Sequence, residues 1–276
     1  MSYRGRFLVE PGSRVRLDAI DPGFTGKHAD KGGALGRIEK DLEKLGRLQY
    51  LLYAENRRSL LVILQAMDAG GKDGTVRHVF SGMNPQGTYV HSFKEPSAEE
   101  AAHDFLWRAH RVVPGRGEVG IFNRSYYEDV LVVRVHDLVP KEVWSKRYEL
   151  INDFEKMLAE NGTHILKFYL HISPQEQLKR FGKRLNDPDR QWKISEDDYK
   201  ERAYWNEYMK AFEAVLERCS TKHAPWFVIP ADRKWFRNLA VASIIVETLE
   251  GLGIKTPPPS VDIDEIRRKY HQAAES

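Results

Sequence analysis

The stretch Leu60-Leu-Val-Ile-Leu-Gln-Ala-Met-Asp-Ala-Gly-Gly-Lys-Asp-Gly-Thr75 restricts the fold more than any other part of the chain. It opens with an apolar run, Leu60 to Leu64, that reads as a strand. It then passes a small-residue turn to Gly71-Lys72, and Val76 to Phe80 continues as a helix. Strand, glycine turn, lysine and helix in this order form a phosphate-binding loop. Successive backbone N–H groups and a helix N-terminus converge on an anion, and the lysine adds a point charge. An ordinary strand–turn–helix corner would not need the strand, the glycine pair and the lysine in register.

The fit to G-x-x-x-x-G-K-[ST] is partial. Ala66 stands in place of the first glycine and Asp73 in place of Ser or Thr, while Asp68 lies inside the loop. Two carboxylates in an anion cradle repel phosphate unless a divalent cation sits between them and the phosphate oxygens. The expected loop contacts to phosphate are Ala69, Gly70, Gly71, Lys72, Asp73, Gly74 and Thr75, with Mg2+, or Mn2+ in its stead, as the cation.

Further strands read at Thr88–Phe93, Glu118–Phe122, Ile165–Ile172 and Pro225–Pro230. Helices read at 34–56, from Ser97 to Arg111, at Tyr126–Val133 and Lys141–Glu160, from Ser173, from Ser195 to Arg218 and at Arg233–Leu252. Ser97-x-x-Glu100, Ser173-Pro-Gln-Glu176 and Ser195-x-x-Asp198 are capping boxes. Strands separated by helices, none close enough for hairpins, imply an α/β domain whose mostly parallel sheet is covered on both faces. Residues 1–33 read as an arm rich in Gly, Pro, Arg and Asp, lying on the domain or partly mobile. Residues 34–255 form the domain, with a small helical lid at about 180–200, and 256–276 form a polar tail.

Composition narrows the function classes. The chain has 276 residues, 41% hydrophobic and 30% charged, with a formal net charge of +3. That balance supports a buried core and gives no argument for nucleic acid. The one cysteine, Cys219, excludes an internal disulfide and a thiolate metal site, and fits a reducing cytoplasm. The N-terminus has no apolar signal core and the chain no long apolar run, so no membrane span is expected.

Ligands of such sheets bind beyond the strand C-termini. Asp68, Lys72 and Asp73 follow the first strand, and Asn123-Arg124 follow a second, so all can reach one crevice. Many phosphate-loop enzymes end that second strand in a metal-binding carboxylate. Here Asn123 offers an amide oxygen, and Arg124 can neutralise a transferring phosphoryl group. The alternative for this pair is a polar strand end. Arg180, Lys183, Arg184, Arg190 and Lys193 form a basic segment that suits a lid over a polyphosphate or nucleotide. Lys94 and Arg108 are candidate nucleotide contacts. Glu128 and Asp129 either supply what Asn123 lacks, through metal waters or a nucleotide hydroxyl, or form a surface acid pair.

The chain resembles the polyphosphate kinase 2 family from about residue 34 to 252. The likeness rests on Gln65 to Thr75, Ser92-Phe-Lys-x-Pro-Ser97, Phe105-Leu-Trp-Arg108, Ile121 to Val130, Arg190-Gln-Trp-Lys-Ile-Ser195 and Ala224-Pro-Trp-Phe-Val-Ile-Pro230. The resemblance implies a thymidylate-kinase-like fold with a lid and Mg2+-dependent phosphoryl transfer between inorganic polyphosphate and nucleotides. Asp68 then corresponds to the metal-binding loop carboxylate, Lys72 to the loop lysine, Arg124 to the adjacent arginine and Arg184 to the lid arginine, with Arg180 and Lys193 nearby. Asn123 stands where many members carry Asp, which puts the metal set in question. The Asn-Arg-Ser-x-Tyr-Glu-Asp form is similar to the subgroup acting on both AMP and ADP, and the family implies dimers or tetramers. Base preference, guanine nucleotides included, is open. An ATP-dependent nucleoside monophosphate kinase and a non-catalytic polyphosphate-binding protein are the rival readings.

Overall fold

The structure, a computed structural model, describes residues 2–274. Its centre is β1 (Ser59–Gln65), hydrogen-bonded in parallel to β3 (Val119–Asn123) on one side and β4 (Thr163–His171) on the other. With β2 (Thr88–Ser92) outside β3 and β5 (Trp226–Pro230) outside β4, the order is β2-β3-β1-β4-β5 and every pairing is parallel. The principal helices are α1 (Leu35–Glu55), α2 (Lys72–Val79), α3 (Arg147–Glu160), α4 (Pro174–Leu185), α5 (Glu196–Ala203), α6 (Trp205–Cys219), α7 (Lys234–Gly251) and α8 (Ile263–Ala274).

Side-chain alternation along β1 explains its continuous apolar run. Leu60, Val62 and Leu64 enter the core that holds α1, α2 and α7, while Leu61 and Ile63 enter the core that holds α3 and α6. Both faces are dry, so every residue must be apolar, and each such buried side chain contributes about 1.5–3 kcal/mol. The chain leaves β1 for β2 and β3 on one side and returns to β4 on the other. The ends of β1, β3 and β4 therefore flank a topological switch point, where a crevice opens.

The first residues belong to the domain. A short helix, Tyr3–Phe7, precedes Leu8, which makes an antiparallel bridge to Phe227, and Val9 N–H donates to Trp226 O at 2.9 Å. Phe7, Val9 and Leu17 are buried. This segment covers the open edge of β5, which is the physical reason it is ordered. The tail carries the exposed helix α8, and positions 275–276 of the expected tail lie outside the described residues.

Several of the long helices expected after residue 97 are broken. The 97–111 region holds two short turns, Ala98–Ala101 and Trp107–His110, because Asp104 caps Leu106 N–H at 2.9 Å and restarts the chain. Trp107 is half-buried and stacks on His103. Residues 126–133 are a 3-10 turn, Tyr126–Val130, followed by Val132–Val135. Lys141–Trp144 is separate from α3, and Tyr204 divides α5 from α6. The Ser97 and Ser195 capping boxes form as expected. Ser173 caps Glu176 N–H, but its own N–H and hydroxyl donate to Asp232, so Glu176 is left to pair with Arg180.

Candidate active site

The loop after β1 is built by backbone constraints. Gly70 N–H donates to Met67 O at 2.9 Å, Ala69 takes φ +57° and Gly71 φ +108°. A Cβ on Gly70 would lie 2.5 Å from the Ala66 methyl, and one on Gly71 would lie 1.7 Å from Arg237 Nη1. Both positions exclude a side chain. Lys72 opens α2 and curls back so that its Nζ donates to Ala66 O at 2.9 Å. Thr75 is buried, and its hydroxyl donates to Gly71 O at 3.1 Å, within its own helix.

Burial, with Arg124 beside it, lowers the Lys72 pKa from 10.5 to about 8. Arg124 follows β3 in the left-handed region at φ +61°, with its N–H bonded to Leu64 O at 3.1 Å. Its guanidinium meets Asp68 Oδ1 at 3.0 Å and Glu128 Oε2 at 3.5 Å. Glu128 first, then Asp68, hold Arg124 firmly charged. Asn123 Nδ2 donates to Asp73 Oδ1 at 2.9 Å, which ties the end of β3 to the first turn of α2. Asp68, Lys72, Asp73, Asn123 and Arg124 thus meet in one place, as their positions at strand ends imply.

The basic segment divides in two. Arg180 is buried, and all of its N–H donors are engaged: Nε with Glu176, Nη1 with Ala69 O and Gly70 O, and Nη2 with Ala231 O and Asp232 O. It splints the phosphate loop to β5 and has no donor left for a chain of phosphates, contrary to its expected role. Lys183, Arg184, Arg190 and Lys193 do line the cleft. Arg184 donates to Lys193 O at 3.2 Å and lies 3.6 Å from Asp198 on α5, and Lys193 Nζ lies 3.7 Å from Asp73. The lid is therefore braced directly over the loop. Trp192 stands 77% exposed on its inner side.

Arg108 and Asp129 also turn inward. Arg108 is buried, donates to Lys94 O at 2.8 Å, lies 3.6 Å from Asp129 and sits over the Phe93 ring. Asp129 accepts from Arg147 Nη1 at 3.0 Å, and burial raises its pKa despite Arg147 and Arg108. The pair braces the β2 and β3 ends from below, so neither reaches the cleft. Glu128 pairs with Arg124 and Asp129 with Arg108 and Arg147, so the two do not form a surface acid pair. Lys94 is exposed and lines the cleft.

The cleft encloses about 1330 Å³. Twelve Lys and Arg side chains line it against four Asp, in a chain whose 43 basic and 40 acidic residues nearly balance. On the β2–β3 side stand Ser92, Lys94, Asn123 and Arg124, and on the α7 side Lys31, Arg77, His78, Lys234 and Arg237. Sequence reasoning missed the α7 side. Arg237 is 1% exposed and has no carboxylate partner among the described residues, and burial with Arg180 nearby lowers its pKa. Burial, then Arg180 and Arg237, lowers that of Lys234. A signal existed: Lys234 and Arg237 open α7 with no acid in its first turn, which opposes the helix dipole and suits a bound anion.

Among the described residues no three His, Cys, Asp or Glu side chains converge on a metal position. Asp68, Asp73 and Asn123 all line the cleft beside the loop, and the donors they offer are hard oxygens with few carboxylates. That set fits Mg2+, which keeps waters and takes substrate phosphates as ligands, and does not fit Zn2+.

A parallel sheet with a lysine-bearing glycine loop at its switch point, an arginine at the neighbouring strand end and a basic lid defines a phosphate-loop phosphotransferase of the kinase type. The family model for polyphosphate kinase 2 (PPK2) matches residues 28–257, and the chain belongs to that family. The AMP/ADP-polyphosphate phosphotransferase of Meiothermus ruber is 50% identical over 262 residues, covering 95% of this chain and 98% of that protein. The ADP-polyphosphate phosphotransferase of Rhodopseudomonas palustris is 50% identical over 269 residues, covering 91% of each. The crystal structure of polyphosphate kinase 2 from Arthrobacter aurescens TC1 matches with a TM-score of 0.94 at 42% identity, covering 100% of this chain and 98% of that one.

Proposed function

We propose that the protein transfers the terminal phosphoryl group of inorganic polyphosphate to ADP and to AMP, reversibly. The observation that carries this reading is the excess of basic over acidic side chains in a cleft that runs past both sides of the phosphate loop. A nucleotide with two or three phosphates does not need that length of positive surface. A phosphate chain on the α7 side and a nucleotide on the β2–β3 side use all of it. The name of the Meiothermus relative supports polyphosphate with AMP and ADP, and that of the Rhodopseudomonas relative polyphosphate with ADP.

In this reading the terminal phosphoryl group lies against Lys72 and the loop N–H groups, with Lys183 and Lys193 on the lid side. A phosphate oxygen of ADP or AMP, oriented by Lys94 and Arg124, attacks in line, and the shortened chain leaves toward Lys234 and Arg237. The attacking oxygen is already ionised near neutral pH, so no general base is required. Positioning and neutralisation of charge by Lys72, Arg124 and Arg184 supply most of the acceleration. Asp68 and Asn123, with Asp73, would hold Mg2+ or Mn2+, which when bound neutralises phosphate charge.

The reading extends to guanine nucleotides as acceptors, to a cytoplasmic setting and to a homo-oligomer, for which exposed Tyr50 and Tyr53 on α1 offer a contact. Among the described residues no helix is long and apolar enough to cross a membrane. The test is incubation with Mg2+, polyphosphate and either AMP or ADP, without ATP. Formation of ADP from AMP and ATP from ADP is expected. Activity only when ATP replaces polyphosphate would identify an ATP-dependent monophosphate kinase, and tight polyphosphate binding without turnover a binding protein.

A further inference from the structure

Behind the Arg124 corner lies a charged cluster with no access to substrate. Lys167 on β4 and Glu155 on α3 are both 0% exposed and meet at 2.5 Å. Lys167 Nζ also donates to Tyr127 OH at 2.9 Å and to Cys219 O at 2.6 Å, which engages all three of its protons. Glu155 Oε1 accepts from Tyr126 OH at 2.9 Å and Tyr127 OH at 2.8 Å. The two tyrosines are the turn that begins two residues after Arg124, and Ser125 Oγ accepts Tyr127 N–H at 3.1 Å to start it.

Stability alone gives weak reason for such a cluster. A buried ion pair can usually be replaced by well-packed apolar residues without loss of stability, because desolvation offsets the attraction. What the cluster adds is direction. Hydrogen bonds fix where both tyrosine hydroxyls lie, and with them the direction each side chain takes from the turn, where apolar packing would leave the tips free to settle differently. Arg124, separated from this turn only by Ser125, holds a left-handed backbone conformation at φ +61° that a non-glycine residue keeps only when its surroundings enforce it. On the opposite side of the corner the Gln65 amide, turned to satisfy its neighbours, donates to Glu128 Oε1 at 3.0 Å, and Glu128 in turn holds Arg124.

We propose that Tyr126, Tyr127, Glu155 and Lys167 form a positioning unit for the transfer reaction: the buried pair clamps the tyrosine turn, and the clamped turn aims the Arg124 guanidinium at the phosphoryl group. None of the four touches substrate. The proposal rests on the role given to Arg124 above.

The test is a double-mutant cycle between Tyr126→Phe/Tyr127→Phe and Arg124→Ala, assayed with polyphosphate and ADP. The paired phenylalanines keep the rings and cut the link to Glu155. The expected result is a kcat lowered about tenfold or more, with KM for polyphosphate within about twofold, and no further loss when the phenylalanines are added to Arg124→Ala. Loss by the same factor in the Arg124→Ala background would overturn the positioning role, as would a parental kcat. Full activity of Arg124→Ala by itself would instead refute the role of Arg124, which separates the two failures. If the paired variant does not fold, Tyr126→Phe/Tyr127→Phe/Glu155→Leu/Lys167→Met removes the charges together with the hydroxyls. It should melt near the parent temperature and show the same kcat loss and the same non-additivity.

Discussion

Asn123 Nδ2 donates to Asp73 Oδ1 at 2.9 Å, across the gap between the end of β3 and the start of α2. Both residues depart from the usual phosphate-loop pattern, and the structure brings the two departures together. The amide removes a negative charge that would otherwise face Asp73. Replacing it by Asn123→Asp should therefore lose one hydrogen bond and add repulsion, for about 1 kcal/mol in chelator, or about 2–4 °C in melting temperature. Added Mg2+ should restore more stability to the variant than to the parent. Equal Mg2+ responses by thermal denaturation would show that no cation bridges these groups.

Lys72→Ala and Asp68→Asn should each reduce kcat by about two orders of magnitude, the effect expected when one preorganised transition-state partner is removed. Steady-state formation of ATP from polyphosphate and ADP measures this. A near-parental rate in either variant would take that residue out of the chemistry.

The pH dependence follows from Lys72, whose pKa lies at about 8. As pH rises through that value the free enzyme loses the loop cation, so kcat/KM for polyphosphate should fall, approaching tenfold per pH unit. Bound polyanion favours the charged amine, so kcat should persist to higher pH. Lys72→Arg should lack this inflection, and an alkaline limb that survives in it would belong to another group. Stability runs the other way. Between about 8 and 10.5 the unfolded chain binds a proton at Lys72 that the folded chain does not, so this group's contribution rises with pH.

Arg180 and Lys183 are close in sequence and should behave oppositely. Arg180→Met leaves Glu176 and four loop carbonyls without their partner, and should destabilise the fold by about 3 kcal/mol. Lys183→Ala should leave stability within about 0.5 kcal/mol and weaken polyphosphate binding, with a shallower salt dependence. Denaturant melts and binding at two ionic strengths separate the two. Equal stability losses would contradict the division of the basic segment.

The strands, the loop and the crevice were legible because each depends on a few neighbouring residues. An apolar run five residues long, a glycine pair and a lysine need no distant partner to be read. Asp68, Lys72, Asn123 and Arg124 could then be brought together through the rule that parallel strands present their ends to one crevice. Depth was not legible. The basic segment placed Arg180 and Arg184 together in the lid, and nothing local showed that Arg180 sinks under the loop while Arg184 stays at the cleft. Arg108 looked like a ligand contact for the same reason. Arg237 reaches Gly70 across 167 positions of sequence, and only the assembled sheet makes that contact. The helix expected over 97–111 failed because Asp104 caps Leu106 and restarts the chain, a competing start that the Ser97 capping box does not reveal.

The close approach of Gly71 to Arg237 makes the loop and α7 a single heritable unit. A methyl group at Gly71 has no room while Arg237 is present, and shortening Arg237 alone opens a void beneath the loop. Neither position can drift first without harm, so the viable route between two such sequences changes both at once. Recombined genes should show this directly. Chimaeras of this protein with a relative that fills the space differently should survive when residues 60–80 and 226–252 come from the same parent. They should fail when a crossover divides them, wherever between the two segments it falls.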